Sequence, residues 1–560
     1  MGIILKSFIR VKGAFLKRTF DSLSEDPRAS QKSLLLNILR ENAATEYGRK
    51  YSFSTIASEG EFQKRVPITT YQDLEPFVEK IMEGRGNVLT ADMPFMFNVT
   101  SGTTDKPKYI PINSRAKQRT ARLMHQWLYR CLLDHPAFLD KYSLSITSSA
   151  VEGRVSSGIP YGSSSGLIYR NLPRVMRGSY VLPFILGDVK NYDLRYYAMA
   201  RLAFEKDVSV AATPNPTTLK KLAETGTQYQ EEIIRSIKEG RLYTKLQFEL
   251  DQGDAGIVNI LNASLSKNRE RANALEAVIR AKGKMLPRYC WPSLKLIGCW
   301  LGGSVGHQAE KLSGYYGDVP KRDIGYLASE GCLTLPFEDN TPSGILALQN
   351  NYYEFVLEES ACNPDPEVLR AHELEPGRNY KVILTNESGL YRYDINDTVR
   401  VDNFYKRTPV LSFVRKTNDF LNLTGEKLHV NQFIMTMDKI SRELDIPILQ
   451  FRAVANAVAM RYDICLALGR EISSGALSST VIPAIDSCLS GMNIEYEQKR
   501  KSRRLNAPCL HIMNPGWEEG VKRTLVESGK RDLQYKWRFV TPEFLDLDRQ
   551  FIIFSVKSAE

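Results

Sequence analysis

Three short segments hold most of the side chains with chemistry to offer. The first is VTSGTTDKPKYIP, residues 99–111. Thr100, Ser101, Thr103, Thr104 and Lys108 can each donate to an anion, Lys106 could be a sixth donor, and Gly102 lets a ligand approach the backbone. Successive N–H groups in such a turn form an anion nest. The segment is not a Walker loop, because GxxxxGK[ST] is absent, and it is expected to join two strands rather than open a helix. An ordinary polar turn has the same composition, so the segment alone leaves both readings open.

The second segment is GYLASEGC, residues 325–332. Tyr326 lies four residues before Glu330, with Ser329 between them. A stacking aromatic, a hydroxyl and a carboxylate would suit a nucleotide and Mg²⁺, which takes one or two protein carboxylates while phosphates and water complete its shell. Taken alone, the segment favours a core tyrosine beside a surface glutamate. The third is GLYRYDINDTVRV, residues 389–401, where Asp394 and Asp397 are expected to flank a turn after an aromatic strand. A carboxylate there could accept from both ribose hydroxyls, as acidic residues do in dinucleotide folds; Asn and Asp are also at home in a plain hairpin turn. GSSSG at 162–166 matches the G-x-S-x-G elbow. It sits in a Gly/Ser-rich loop with no clear strand before it and no helix after it, and the motif requires that context. Ser164 is therefore not read as a nucleophile.

The elements that must position these segments read as α/β, a mixture of strands and helices. The first 90 residues are mostly helical by apolar spacing. PFMFNVT and KYIPI flank the Ser/Thr loop as strands. Asn113 or Ser114 caps a helix that carries Met124, Trp127, Leu128, Cys131 and Leu132 on one face and stops before Pro136. GILAL, YYEFVLE and YKVILTN follow as strands. The pattern changes near 416–425, giving an N-terminal domain over 1–415, a hinge over 416–425 and an α+β domain over 426–560.

Composition excludes several classes. The chain has 560 residues, 43% apolar and 25% charged, which is ordinary globular content. Its net charge of +11 is a mild excess, and the basic runs at 6–18 and 499–504 read as solvated faces rather than nucleic-acid sites. The eight cysteines form no CxxC and no zinc spacing. They are sparse for a disulfide scaffold, so a reducing, cytoplasmic setting is expected. No stretch approaches the ~20 apolar residues of a spanning helix. The alternating basic and apolar residues 3–20 allow weak adhesion to a surface.

Together and in this order, these segments resemble the acyl-acid amido synthetases of the auxin-responsive promoter (Gretchen Hagen 3) family, within the adenylate-forming superfamily. The likeness covers nearly the whole chain. It includes NAATEYGRKYSF, VPITTYQDLEPFVEKIMEG, TSGTTDKPKYIP, YCWPSLKLI, GYLASEG, GLYRYDINDTVRV, GEKL, YEQKRKSRRL and QYK, and looks nearer to the bacterial members than to the plant enzymes. The resemblance implies a large adenylation domain with a small mobile cap. It implies a ligase that uses ATP and Mg²⁺ to turn a carboxylic acid into an acyl-adenylate, then passes the acyl group to an amine, usually an amino acid. It places Ser101, Thr103, Thr104 and Lys108 on the phosphate loop, Tyr326 against adenine, Ser329 beside phosphate, Glu330 on Mg²⁺ and Asp397 on ribose. Arg415 and Asp419 fall near the hinge, and Lys536 resembles the lysine that reaches the reacting phosphate. A thioester ligase or an inactive binding protein on the same fold is the alternative. Asp105 and Asn396 stand where the family more often has glycine, and both residue types tolerate a left-handed backbone. The acyl pocket is expected between residues 118–180 and the Tyr352–Phe355 region, with Trp127 and Tyr161 as possible lining or core.

Overall fold

The chain begins with the long helix Gly2–Glu25, and shorter capped helices follow. Asp26 accepts from Ala29 N, and Pro27 opens the helix Pro27–Glu41, where a missing N–H costs nothing. Thr70 N donates to Asp73 Oδ2 at 2.7 Å at the start of Tyr71–Met82. The apolar sides of these helices, Leu34, Leu35, Ile38 and Leu39 with Leu74, Val78 and Ile81, pack in one core with Tyr352, Phe355, Val382, Leu384 and Tyr391.

This is a computed structural model. It describes all residues except 1, 101–106, 147–150, 164–165, 167–177, 244–249, 362, 364–365, 417–418, 530–531, 533–534 and 559–560, and the side chains of 2, 3, 100, 304 and 307. The chain divides into two compact units, Met1–Arg415 and Lys416–Glu560.

Among the described residues, the larger unit carries a seven-stranded sheet in the order Thr334–Leu335, Gly344–Leu346, Thr408–Lys416, Tyr393–Tyr405, Asn379–Thr385, Tyr352–Leu357, Val368–Arg370. A second sheet orders Lys108–Ile112, Met96–Thr100, Pro160–Gly162 and Gly153–Arg154. A third is parallel: Tyr142–Ser145, Val208–Ala212, Leu296–Gly298, Lys321–Arg322. Helices such as Tyr192–Glu205 and Pro216–Gln228 join its strands. The architecture is α/β, as the patterning predicts. The helix Ser114–Asp134 is capped by Asn113, whose side chain accepts from Ala116 N, and buries Leu123, Trp127, Cys131 and Leu132.

Two expectations are corrected here. Tyr352, Tyr353 and Phe355 do not line a pocket: all are fully buried, and the Tyr353 hydroxyl donates to the carbonyls of Leu333 and Ala347. They are core residues of the strand Tyr352–Leu357. GSSSG is also preceded by a strand, Pro160–Gly162, although Ser164 itself lies outside the described residues. Trp127 and Tyr161 pack in apolar clusters; the Trp127 indole donates to Asp323 O at 2.7 Å.

The smaller unit has its own core, with Phe433, Met437, Tyr462, Ile485, Leu489 and Trp517 at its centre. Its sheet orders Val540–Thr541, Ile448–Asn456, Arg461–Leu468, Cys509–Met513 and Ile552–Lys557, accompanied by the helices Val430–Glu443 and Ile482–Met492. Among the described residues, no helix is long and apolar enough to cross a membrane.

Candidate functional site

The segment 325–332 folds as a tight hairpin. Leu327–Ala328 pairs with Gly331–Cys332, so Ser329 and Glu330 form the two-residue tip. Gly325 enters it at φ +97°, and a Cβ there would lie 2.7 Å from Thr334 O; only glycine takes that conformation without strain. Two buried amides tie down the tip. Asn98 Nδ2 donates to Ser329 O at 3.0 Å, and Asn386 Nδ2 donates to Glu330 O at 2.9 Å. Asn98 lies on Met96–Thr100, the strand that leads into the Ser/Thr loop, and Asn386 follows Asn379–Thr385. The tip is thus anchored to two sheets at once.

Tyr326 and Asp397 meet: the phenol donates to Asp397 Oδ2. Burial, then the Asp397 carboxylate and that hydrogen bond, then Glu330, push the phenol pKa well above its ordinary value. Tyr326 therefore stays a donor through the neutral range. Its ring lies 5.4 Å from Phe413. Phe413 in turn rests on Gly303, where a Cβ would come within 2.8 Å of the ring. Burial, followed by Glu330, likewise raises the Tyr393 hydroxyl, so the Glu330 charge is felt by both phenols.

Asp394 and Asp397 do not flank a turn. Both lie within the strand Tyr393–Tyr405, and the extra residues are absorbed by a bulge: Lys381 faces Thr398 while Ile383 faces Asp394. Asn396 takes φ +59° there. Asp394 holds the bulge, accepting from Asn396 N at 2.7 Å and from Lys381 Nζ at 3.0 Å. That leaves Asp397 as the carboxylate turned to Tyr326. The bulge re-aims a side chain, as bulges beside sites often do.

Arg415, next to the end of the strand Thr408–Lys416, forms an ion pair with Glu358, which also accepts from Thr398 Oγ1 at 3.3 Å and Asn379 Nδ2 at 3.1 Å. Its Nε is buried with no hydrogen-bond partner among the described residues. Lys108 pairs with Thr100 in the antiparallel register of Met96–Thr100 and Lys108–Ile112. Its Nζ lies 5.7 Å from the Tyr71 ring, whose hydroxyl accepts from Tyr109 N at 2.9 Å. Ser101, Gly102, Thr103 and Thr104, with Asp105, lie outside the described residues, as does the side chain of Thr100. Lys536 is exposed in the smaller unit, beside the buried Trp537, whose indole donates to Phe451 O at 2.8 Å.

Sequence reasoning did not find Asn98, Asn386, Phe413 or Gly303 beneath Phe413. Asn98 is 231 positions from its partner and Asn386 56, so no local spacing could join them. The basic run at 499–504 is partly neutralised: Arg500 grips Asp486 with both Nε and Nη2, and Lys501 pairs with Glu497 at 2.6 Å. Spacing also missed Asp463, Cys509 and His511, whose ligand atoms lie within 4.8 Å of one another. That carboxylate already accepts from Arg461 and Asn456 at 2.7 and 2.6 Å.

The models of three GH3 family domains match the chain in order: the N-terminal domain over residues 16–321, the central domain over 344–416 and the C-terminal domain over 431–543. The chain belongs to the GH3 family. Among GH3 relatives, a jasmonoyl–L-amino acid synthetase, JAR4, of Nicotiana attenuata is 24% identical, covering 92% of each chain. A probable indole-3-acetic acid-amido synthetase of Oryza sativa subsp. japonica is 23% identical over 93% of each. The solved structure of the acyl acid amido synthetase AtGH3.15 in complex with 2,4-DB superposes with a TM-score of 0.84 at 18% identity, covering 98% of both chains. These GH3 relatives are plant proteins and lend no support to a nearer likeness to bacterial members.

Proposed function

We propose that this GH3 protein activates a carboxylic acid with ATP and joins it to an amine, in keeping with the amido synthetases it resembles. The carboxylate oxygen attacks the α-phosphorus, pyrophosphate leaves, and an acyl-adenylate forms. The amine then attacks the acyl carbon and AMP leaves. The observation that carries the assignment of residues is the Tyr326–Asp397 hydrogen bond beside the anchored Ser329–Glu330 tip.

In this reading Asp397 accepts from the ribose hydroxyls, Tyr326 stacks on adenine, and the 100–108 loop with Lys108 takes the phosphates. Ser329 sits beside them. The Arg415 Nε, without a hydrogen-bond partner among the described residues, is a buried donor suited to an oxygen of the nucleotide. Much of the rate would come from holding carboxylate and phosphorus in line. Glu330 offers the hard oxygen donor that Mg²⁺ prefers, at a tip fixed by Asn98 and Asn386. A bound Mg²⁺ would stabilise charge on the phosphates. Lys536, by resemblance, serves the adenylating state, and residues 416–425 form the hinge.

Pyrophosphate release with a panel of acids, with and without amino acids, tests the proposal. Acid-dependent release, with amide product when an amino acid is present, is the expected result. Release stimulated by CoA but by no amine would instead indicate a thioester ligase. Absence of release with every acid would indicate a binding protein.

A further inference from the structure

The helix Gly2–Glu25 has two apolar faces. Leu5, Ile9 and Phe20 are buried, and Gly13 lies so close to Tyr129 that a Cβ would stand 2.3 Å from its Cγ. This face packs on Ser114–Asp134. The other face carries Ile4, Phe8, Val11 and Phe15, spaced by four, three and four residues, which sets them in one stripe, with Phe8 at its edge, its ring edge-on to His125 at 5.5 Å. They are 74%, 53%, 75% and 70% exposed. Single exposed apolar residues need no explanation, but an aligned run of four does. At the helical rise of 1.5 Å per residue the stripe is roughly 17 Å long.

Charge narrows the occupant. Arg10, Lys12 and Arg18 are exposed on the same helix, and no acid precedes Asp21. Lys17 pairs with Asp21 and Lys6 with Asp140, which leaves the cationic excess on the solvent side. A second copy seated on this stripe would bring like charges together across the two-fold. A surface of phosphate headgroups over acyl chains complements both features.

We propose that this helix docks the protein on an anionic lipid surface. Ile4, Phe8, Val11 and Phe15 enter the boundary between headgroups and acyl chains, and Arg10, Lys12 and Arg18 meet lipid phosphates. Flotation of the full chain with vesicles of phosphatidylcholine, with or without phosphatidylglycerol, tests this. The expected result is binding to the anionic vesicles that weakens with salt and falls at least about tenfold in Phe8→Glu/Phe15→Glu. A milder fall is expected in Arg10→Gln/Lys12→Gln. Both pairs are exposed, and unchanged thermal melting would show that the fold is kept. No binding to anionic vesicles, or equal binding by wild type and Phe8→Glu/Phe15→Glu, would overturn the proposal. So would a concentration-dependent dimer, by light scattering, that the Glu variant abolishes while vesicles bind neither protein.

Discussion

Asp394 and Asp397 are three positions apart and do different work, because one is held by Lys381 and the bulge and the other by a phenol. Asp397→Ala should therefore abolish acid-dependent pyrophosphate release with the fold intact by circular dichroism. Near-normal release would remove Asp397 from the nucleotide site. Glu330→Ala should behave likewise, since its side chain stands at a tip fixed by backbone contacts that the substitution leaves in place. Asp323 offers a test by pH. It is buried, and burial lifts its carboxyl from an ordinary value of 3.8 to about 7, against the pull of the Leu301 and Gly325 N–H groups. Between those limits the folded chain keeps a proton that the unfolded chain has released. The stabilisation is full below about pH 4 and is lost as pH rises through 7. Asp323→Asn should reduce the fall in denaturant-measured stability between these pH values, by at most about 1.4 kcal/mol per pH unit. An unaltered slope would mean that Asp323 titrates normally.

At the scale of elements, the hairpin tip and the bulge are the devices that aim the side chains. Asn386→Ala would leave the Glu330 carbonyl without its amide and should cost about 1–3 kcal/mol, read as a lower denaturation midpoint; no change would show that the amide does not hold the tip. Asn396 sits at φ +59°. Asn396→Gly should be accepted with adenylation retained, whereas Asn396→Val should lose about 1–2 kcal/mol and most of the activity. Equal behaviour of the two would separate the bulge from Asp397. Here the limits of reading the sequence are visible. The two strands Met96–Thr100 and Lys108–Ile112 and the cap at Asn113 follow from local patterning. The bulge does not: YDIND has the composition of a turn, and only pairing with Asn379–Thr385 turns it into a strand. Tyr352–Phe355 misled for a related reason, since aromatic strand residues look alike whether they line a cavity or fill a core. The amides Asn98 and Asn386 were invisible because their partners are far away in the chain.

The whole molecule places its candidate chemistry in two independently cored units, with the residues proposed for the nucleotide in Met1–Arg415 and Lys536 in Lys416–Glu560. That separation matters because the two half-reactions ask for different surroundings. Adenylation develops charge on the phosphates and gains from a cation, whereas amide formation needs room for an incoming amine and releases AMP. A lysine delivered from a separate unit can serve the first step and be withdrawn for the second, the kind of conformational gating that limits many enzymes. Loss of Lys536 should then fall on one half-reaction only. Lys536→Ala is predicted to lose acid-dependent pyrophosphate release by at least about a hundredfold, while still converting pre-made acyl-adenylate and amine to amide at near wild-type rate. Lys536→Arg should recover part of the first step, since charge is kept and reach is altered. The buried Trp537 next to it secures the local fold in both variants. Equal loss of the two half-reactions would assign Lys536 to the stability of its own unit, and the adenylating cation would then have to come from Lys108 or Arg415.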